Sequence, residues 1–293
     1  MRPTTKLRQL LQEPGIIVAP GAYDCLTAKI IEGVGFPAVY MTGSGTSVTQ
    51  VGLPDLGMAT MTEMVTNAAN IAATIDVPII ADADTGYGGT LNIHRTVRQY
   101  ERAGVAALHI EDQDIPKRCG HLDNKEVISG DEMAMKIRAA VEARTDDDFV
   151  IIVRTDALAV TGIDDTLSRC EKYVKAGADV LFIEALRTPD EIEMVTREFD
   201  VPLLYNYVEK GKSPLIPAAE LERLGFKIVI FPGSAMFTVC KVITDVMRDL
   251  KERGTTEHLL DNMVSPAELF NTVGMSEFLA MDSRFSATPQ HAA

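Results

Sequence analysis

The 293-residue chain has only four cysteines, Cys25, Cys119, Cys170 and Cys240, and they lie far apart. They form neither a disulfide framework nor a Cys-x-x-Cys zinc pattern. Positive charge is also scarce: 28 Lys and Arg stand against 42 Asp and Glu, a formal net charge of −14. Phosphate backbones and anionic bilayers are held by clustered Lys and Arg, so nucleic acid and membrane are not expected as partners. No apolar run approaches the roughly 18 residues of a membrane span. The opening MRPTTKLRQLLQEPG has neither the apolar core nor the small-residue cleavage site of a secretory signal. No Gly-x-Gly-x-x-Gly follows the first apolar run, and there is no P-loop and no Ser/His/Asp arrangement. These absences predict a reduced, soluble, cytoplasmic protein.

What is present is a weak repeat. A helix-like segment ends at a Gly, an apolar run follows, and the run ends in polar or small residues, as in VGFPAVYMTGSG (34–45), AGVAALHIEDQ (103–113), AGADVLFIEA (176–185) and LGFKIVIFPGS (224–234). The Gly suits a helix C-terminus and the β-branched run reads as a buried parallel strand. Eight strands are predicted, at 16–19, 37–42, 78–82, 106–111, 149–154, 179–184, 202–206 and 227–231. Helical patterns lie between them, at 23–33, 61–75, 92–103, 131–143, 163–176, 188–199 and 217–224. Strict βα alternation over roughly 250 residues favours a closed (β/α)8 TIM-type barrel, with an open doubly wound sheet as the alternative. The expected organisation is a single barrel domain over 1–293, with 254–285 a helical extension. A long helix at 235–253 precedes that extension. Phe270, Val273, Phe278, Leu279 and Met281 in it should pack on the barrel or on a neighbouring subunit. The closing SATPQHAA reads as a frayed tail.

In a barrel the strand C-termini converge on one rim, where active sites are built. Here they deliver Thr42–Gly45, Asp82, Asp84, Glu111, Asp112, Arg154, Asp156, Glu184, Asn206, Glu209 and Pro232–Ser234. Any one of these residues could be a helix cap, and Asp156 is read that way. So many carboxylates together would repel without a cation. Asp82 and Asp84 are two apart and point to one side if the strand runs that far, with Glu111 beside them. Hard oxygen donors without a His or Cys pair suit Mg2+, with Mn2+ as the alternative, and Asp55 could add an outer carboxylate.

Cys119 lies in Lys117-Arg118-Cys119-Gly120-His121, inside the long non-periodic stretch 112–130. Long loops at a catalytic rim are often lids. The flanking cations should lower the thiol pKa. Cys25, Cys170 and Cys240 read instead as small buried hydrophobes. Arg154 ends a buried strand and suits either a substrate carboxylate or a salt bridge to Glu184. Gly43, Ser44 and Gly45 offer backbone N–H groups to a carboxylate, or form a tight loop. Tyr40 faces either the core or the site. His109 reads as a core histidine, and His94, His258 and His291 as surface residues.

The strings YMTGSGTS, GLPD, ADADTGYG, IEDQ, PKRCGH, VRTDA, FIEA and NYVEKGKSP occur in this order. Together they resemble the isocitrate lyase/phosphoenolpyruvate mutase superfamily over residues 6 to 285. The resemblance implies a (β/α)8 barrel, a Mg2+ site, a small 2-oxo or 2-hydroxy acid as ligand, and a homotetramer (a dimer of dimers) that exchanges the last barrel helix between subunits. It also implies that Asp82 binds the metal directly, with Asp55, Asp84 and Glu111 acting through water. Thr42, Gly43, Ser44 and Arg154 match positions that hold the acid's carboxylate. Cys119 matches the catalytic thiol of the lyase branch, and Lys117, Gly120 and His121 accompany it on a gating loop. Glu184, Asn206 and Glu209 match further site positions, and Tyr40 the tyrosine beside the metal.

The thiol in KRCGH is similar to that of the short-chain lyases, which cleave 2,3-dimethylmalate or 2-methylisocitrate to pyruvate and a carboxylic acid. Leu122 and NYVEKGKSP differ from the methylisocitrate lyases and resemble 2,3-dimethylmalate lyases, plant alkylmalate lyases and carboxyvinyl-carboxyphosphonate phosphorylmutase more closely. The base could be Tyr40, Glu111 or a metal-bound water. Three alternatives are weighed: a carboxyvinyl-carboxyphosphonate phosphorylmutase-type reaction, an oxaloacetate hydrolase or decarboxylase, and a non-catalytic metabolite-binding barrel, which intact Asp82, Asp84, Cys119 and Arg154 disfavour. Family hydrolases carry a serine where Pro232 stands here, with Ser234 two residues on. Leu122, Tyr207, Pro232 and Phe237 are expected to set the pocket's volume.

Overall fold

The computed structural model describes residues 1–286. The tail from residue 287, with His291, lies outside the described residues. Eight parallel strands close into a barrel in sequence order, the last pairing with the first. They are β1 (Ile17–Ala22), β2 (Val39–Met41), β3 (Ile79–Asp82), β4 (Ala107–Glu111), β5 (Val150–Thr155), β6 (Val180–Ile183), β7 (Leu203–Asn206) and β8 (Ile228–Phe231). The predicted closed barrel is found, and the open sheet is not. β1 runs three residues further than expected, because Pro20 and Gly21 stay in register with Phe231 and Tyr40.

The connecting helices follow the expected pattern, with ends set by local chemistry. Asp24 caps Cys25–Val34 by accepting the Thr27 N–H at 2.8 Å, and Gly35 closes it at φ 99°. Thr60 with Glu63, and Thr188 with Glu191, form reciprocal capping boxes on Met61–Ala72 and Pro189–Glu198. The helices Thr90–Arg102, Gly130–Ala143, Ile163–Ala176 and Ala218–Leu224 complete the ring. The N-terminal helix, Pro3–Gln12, precedes the βα repeat. Its Leu7 is buried against the barrel interior, and Arg8 pairs with Asp179 at 2.9 Å.

Two apolar layers hold the barrel together. Ile17, Ala19, Tyr40, Ile80, Ala107, Val150, Ile152, Val180, Phe182, Leu204, Ile228 and Ile230 fill the interior. Alternate residues such as Val39, Met41, Ile79, Ala81, Ile151, Val153 and Leu181 pack against the helices. Each fully buried aliphatic side chain contributes roughly 1.5–3 kcal/mol. The period of two fixes the site. Two residues beyond Tyr40, Ile80, Ile152, Phe182 and Leu204 on the inward face come Thr42, Asp82, Arg154, Glu184 and Asn206. On β4 the same face carries Ala107, His109 and Glu111. Apolar residues fill the barrel, and polar ones close its C-terminal end.

The chain forms two compact units, dividing after Phe237 within the helix Ser234–Arg253. The second unit carries the rest of that helix, a 3-10 turn at Glu257–Asn262, and the helices Pro266–Thr272 and Met275–Ser286. None of its described residues is buried. Val242, Ile243, Phe270, Phe278 and Leu279 are each more than half exposed. Cys240, expected to be a buried hydrophobe, is also exposed, since its helix has no buried face in the isolated chain. Among the described residues, no helix is long and apolar enough to cross a membrane.

Candidate active site

A cavity opens at the C-terminal rim. Its lining includes Tyr40, Thr42, Ser44, Asp55, Asp82, Lys117, Cys119, Gly120, His121, Arg154, Glu184 and Asn206. Val208, Pro232, Gly233 and Phe237 form an apolar wall. Of the residues expected to set its volume, Pro232 and Phe237 are in place. Leu122 points to solvent, 51% exposed, and Tyr207 packs on Phe231 instead. Val208 was not anticipated.

Asp82 is the last residue of β3, and its side chain lies on Gly43. A Cβ on Gly43 would stand 2.1 Å from Asp82 Oδ2, so a side chain there would displace that carboxylate. Asp84 does not share Asp82's strand face, as the two-residue spacing suggested. The strand ends at Asp82, and Asp84 turns into the left-handed region at φ 47°. Its N–H donates to Asp82 Oδ1 at 2.8 Å, and its carboxylate meets Lys117 at 2.6 Å. Lys117 also bonds Asp55. Glu111 lies below, 3.2 Å from Arg154 Nε.

His109 is buried inside the barrel, its Nε2 2.9 Å from the Tyr40 hydroxyl and 3.5 Å from Asp82 Oδ1. The core reading holds for its burial but misses these contacts. Its place two residues before Glu111 on one strand face was the available signal. Burial keeps its pKa low, and burial together with Asp82's charge keeps Tyr40 protonated well above the usual range.

Arg154 meets carboxylates on several sides. Asp156 accepts from Nε at 2.8 Å and Nη2 at 3.1 Å, and Glu184 lies 3.2 Å from Nη1. Asp156 is therefore not a helix cap. Its side chain caps nothing and is held by Arg154 and the buried Lys125. Glu184 also accepts from Asn206 at 3.0 Å and stands 3.1 Å from His121 Nε2. Burial would raise its pKa, but Arg154 and His121 hold it below the usual carboxylate range. Glu209 lies off the cavity lining and accepts a hydrogen bond from Ser234.

Cys119 is half-buried on the 112–130 loop. The flanking cations do not lower its pKa. Burial raises it above 9.0, while Arg154 and a backbone hydrogen bond at His121 oppose the shift only in part. The reason is geometric: Arg118 is exposed, and Lys117 spends its charge on Asp55 and Asp84.

Six carboxylates (Asp55, Asp82, Asp84, Glu111, Asp156, Glu184) thus share three fixed cations, Lys117, Lys125 and Arg154. Burial and neighbouring carboxylates push Asp84 up to about 6, and burial raises Glu111. A hard divalent cation would relieve that crowding. Among the described residues, no three His, Cys, Asp or Glu side chains converge as a ready coordination sphere. A cation that keeps most of its water fits such a set.

A family model described as phosphoenolpyruvate phosphomutase matches residues 7–251. The chain belongs to the phosphoenolpyruvate mutase/isocitrate lyase superfamily. Within that superfamily it is 43% identical over 286 residues to a 2,3-dimethylmalate lyase from Eubacterium barkeri, covering 98% of this chain and 99% of that protein. It is 40% identical to a 2-methylisocitrate lyase from Aeropyrum pernix, covering 97% and 92%. A solved oxaloacetate acetylhydrolase with the inhibitor 3,3-difluorooxalacetate superposes at TM-score 0.94 and 38% identity, covering 99% of this chain and 100% of that one. The chain is an enzyme, and its full-length lyase relatives support carbon–carbon lyase chemistry.

Proposed function

We propose that this enzyme cleaves a 2-hydroxy-2-alkyl di- or tricarboxylate of the 2,3-dimethylmalate or 2-methylisocitrate type into pyruvate and a second carboxylic acid. The observation that carries this reading is a thiol kept protonated by burial, lining one cavity with Asp82 and Arg154. The cleavage needs a proton taken from the C2 hydroxyl and a proton given to C3.

Mg2+ held by Asp82, with Asp55, Asp84 and Glu111 acting through water, would acidify the C2 hydroxyl and offset charge on the oxo acid. The substrate's C1 carboxylate sits against Thr42, Ser44 and the N–H groups at Gly43–Gly45. Tyr40 is kept protonated by burial and serves as a hydrogen-bond donor, which leaves Glu111, paired with Arg154 at 3.2 Å, as acceptor of the hydroxyl proton. As the C2–C3 bond breaks, its electron pair moves to C3 and into the adjoining carboxylate. Arg154, Asn206 and His121 stabilise that dianion. Cys119 then delivers its proton to C3. Lid residues 112–130, with Gly120 against Arg154 and Lys117 on the carboxylates, keep bulk water from the carbanion.

The Val208, Pro232 and Phe237 wall favours an alkyl group at C2 over a hydroxyl. A second reading has oxaloacetate, as its hydrate, cleaved to oxalate and acetate by the same residues, and the TM-score of 0.94 to an oxaloacetate acetylhydrolase favours it. Product analysis by carbon-13 NMR separates the two. Pyruvate and propanoate from 2,3-dimethylmalate support the first, whereas acetate and oxalate from oxaloacetate with inert alkylmalates support the second.

The exposed apolar faces of 238–286 suit a second copy of this chain, so the proposed assembly is a homotetramer. Four free cysteines fit a reduced cytoplasmic location.

A further inference from the structure

The loop between β4 and the helix Gly130–Ala143 carries the thiol, and a lysine with no part in the chemistry above holds it down. Lys125 is almost wholly buried: its side chain is 1% exposed and that of Asp156 is 0%. Its ammonium donates to Asp156 Oδ1 at 2.7 Å and to the carbonyl of Gly120, the residue after Cys119. Gly120 itself lies flat on the site. A Cβ there would stand 2.3 Å from Arg154 Nη2 and 2.6 Å from Glu184 Cγ.

Asp156 is the shared partner. Its two oxygens take Lys125 on one side and the Arg154 fork on the other. Its backbone N–H donates to Asp112 Oδ1 at 2.9 Å, and Asp112 is fixed by Thr155 and Tyr173 hydroxyls, each at 2.7 Å. The anchor is thus built into the barrel wall.

We propose that Lys125 is a positioning residue that latches the loop through Gly120, so that Asp156 couples the placement of Cys119 to the carboxylate-binding Arg154. By linkage, anything that orders Arg154 on a bound carboxylate also favours the latched loop, and the reverse. The turnover arm of the test rests on the lyase reading. The accessibility arm does not.

The test compares wild type with Lys125→Met and Lys125→Gln. Alkylation of Cys119 by iodoacetamide is followed by peptide mass spectrometry, with and without oxalate plus Mg2+. Oxalate should protect Cys119 in the wild type. In Lys125→Met, alkylation should be about ten-fold faster and oxalate protection lost, while the buried Cys170 stays unreactive and reports an intact fold. Lys125→Gln, which fills the space and keeps one donor for Gly120, should be intermediate. It decides the matter alone if the Met variant fails to fold. On an active substrate, kcat should fall about 100-fold with little change in KM, as for a misplaced proton donor. Unaltered Cys119 alkylation and protection in the variants would overturn the proposal. Absence of turnover in wild type, with the alkylation pattern as expected, would overturn the lyase reading only.

Discussion

The backbone N–H of Asp84 donates to Asp82 Oδ1 across 2.8 Å, because Asp84 has left the strand and adopted φ 47°. This contact aims the Asp82 carboxylate into the cavity and sends the Asp84 carboxylate sideways to Lys117. Two acids only two positions apart in sequence therefore have different tasks. Asp82→Ala is expected to abolish Mg2+ binding measured by titration calorimetry, whereas Asp84→Ala should weaken it by about 10–100-fold, as for a ligand-orienting group.

Gly43→Ala offers a finer test of the same geometry. The new methyl would overlap Asp82 Oδ2. It is expected to turn that carboxylate and cost about 10–100-fold in Mg2+ affinity, with thermal stability close to wild type. Unchanged affinity would show that Asp82 does not face the cation.

Cys119 sets the alkaline side of the pH profile. The thiol is the donor only while protonated, and burial raises its pKa above 9.0. Activity should therefore persist as pH rises and fall only above that value. Iodoacetamide reacts with the thiolate, so alkylation of Cys119 should rise over the same range. A thiolate already formed at pH 7 contradicts the assignment.

Arg154→Met should cost both function and fold. Glu111, Asp156 and Glu184 would lose their shared guanidinium. Removing one partner from a buried ion cluster destabilises by about 3–5 kcal/mol. Urea unfolding should show that loss, partly restored by lowering the pH so that the orphaned carboxylates take up protons.

Much of this was legible in the chain. The apolar runs and the Gly stops located all eight strands, because barrel strands buried on both faces are continuous apolar stretches. The rim residues followed from the same runs, since each ends in a polar group. Three features were not legible. The left-handed turn at Asp84 depends on its bond to Asp82, which the two-residue spacing does not reveal. The charge felt by Cys119 depends on where Lys117 and Arg118 point, not on their adjacency. Lys125 and Asp156, 31 residues apart, meet only because the loop folds back over β5.

The most direct measurement of the central claim is a lactate-dehydrogenase-coupled assay of 2,3-dimethylmalate, 2-methylisocitrate, 2-ethylmalate and isocitrate, with Mg2+ or EDTA, for wild type and Cys119→Ser. The account predicts 2-oxo-acid release from at least one 2-alkyl substrate, abolished by EDTA and lowered about 10²–10⁴-fold in the variant. Release that survives in Cys119→Ser, or none from any member of the panel, would contradict it.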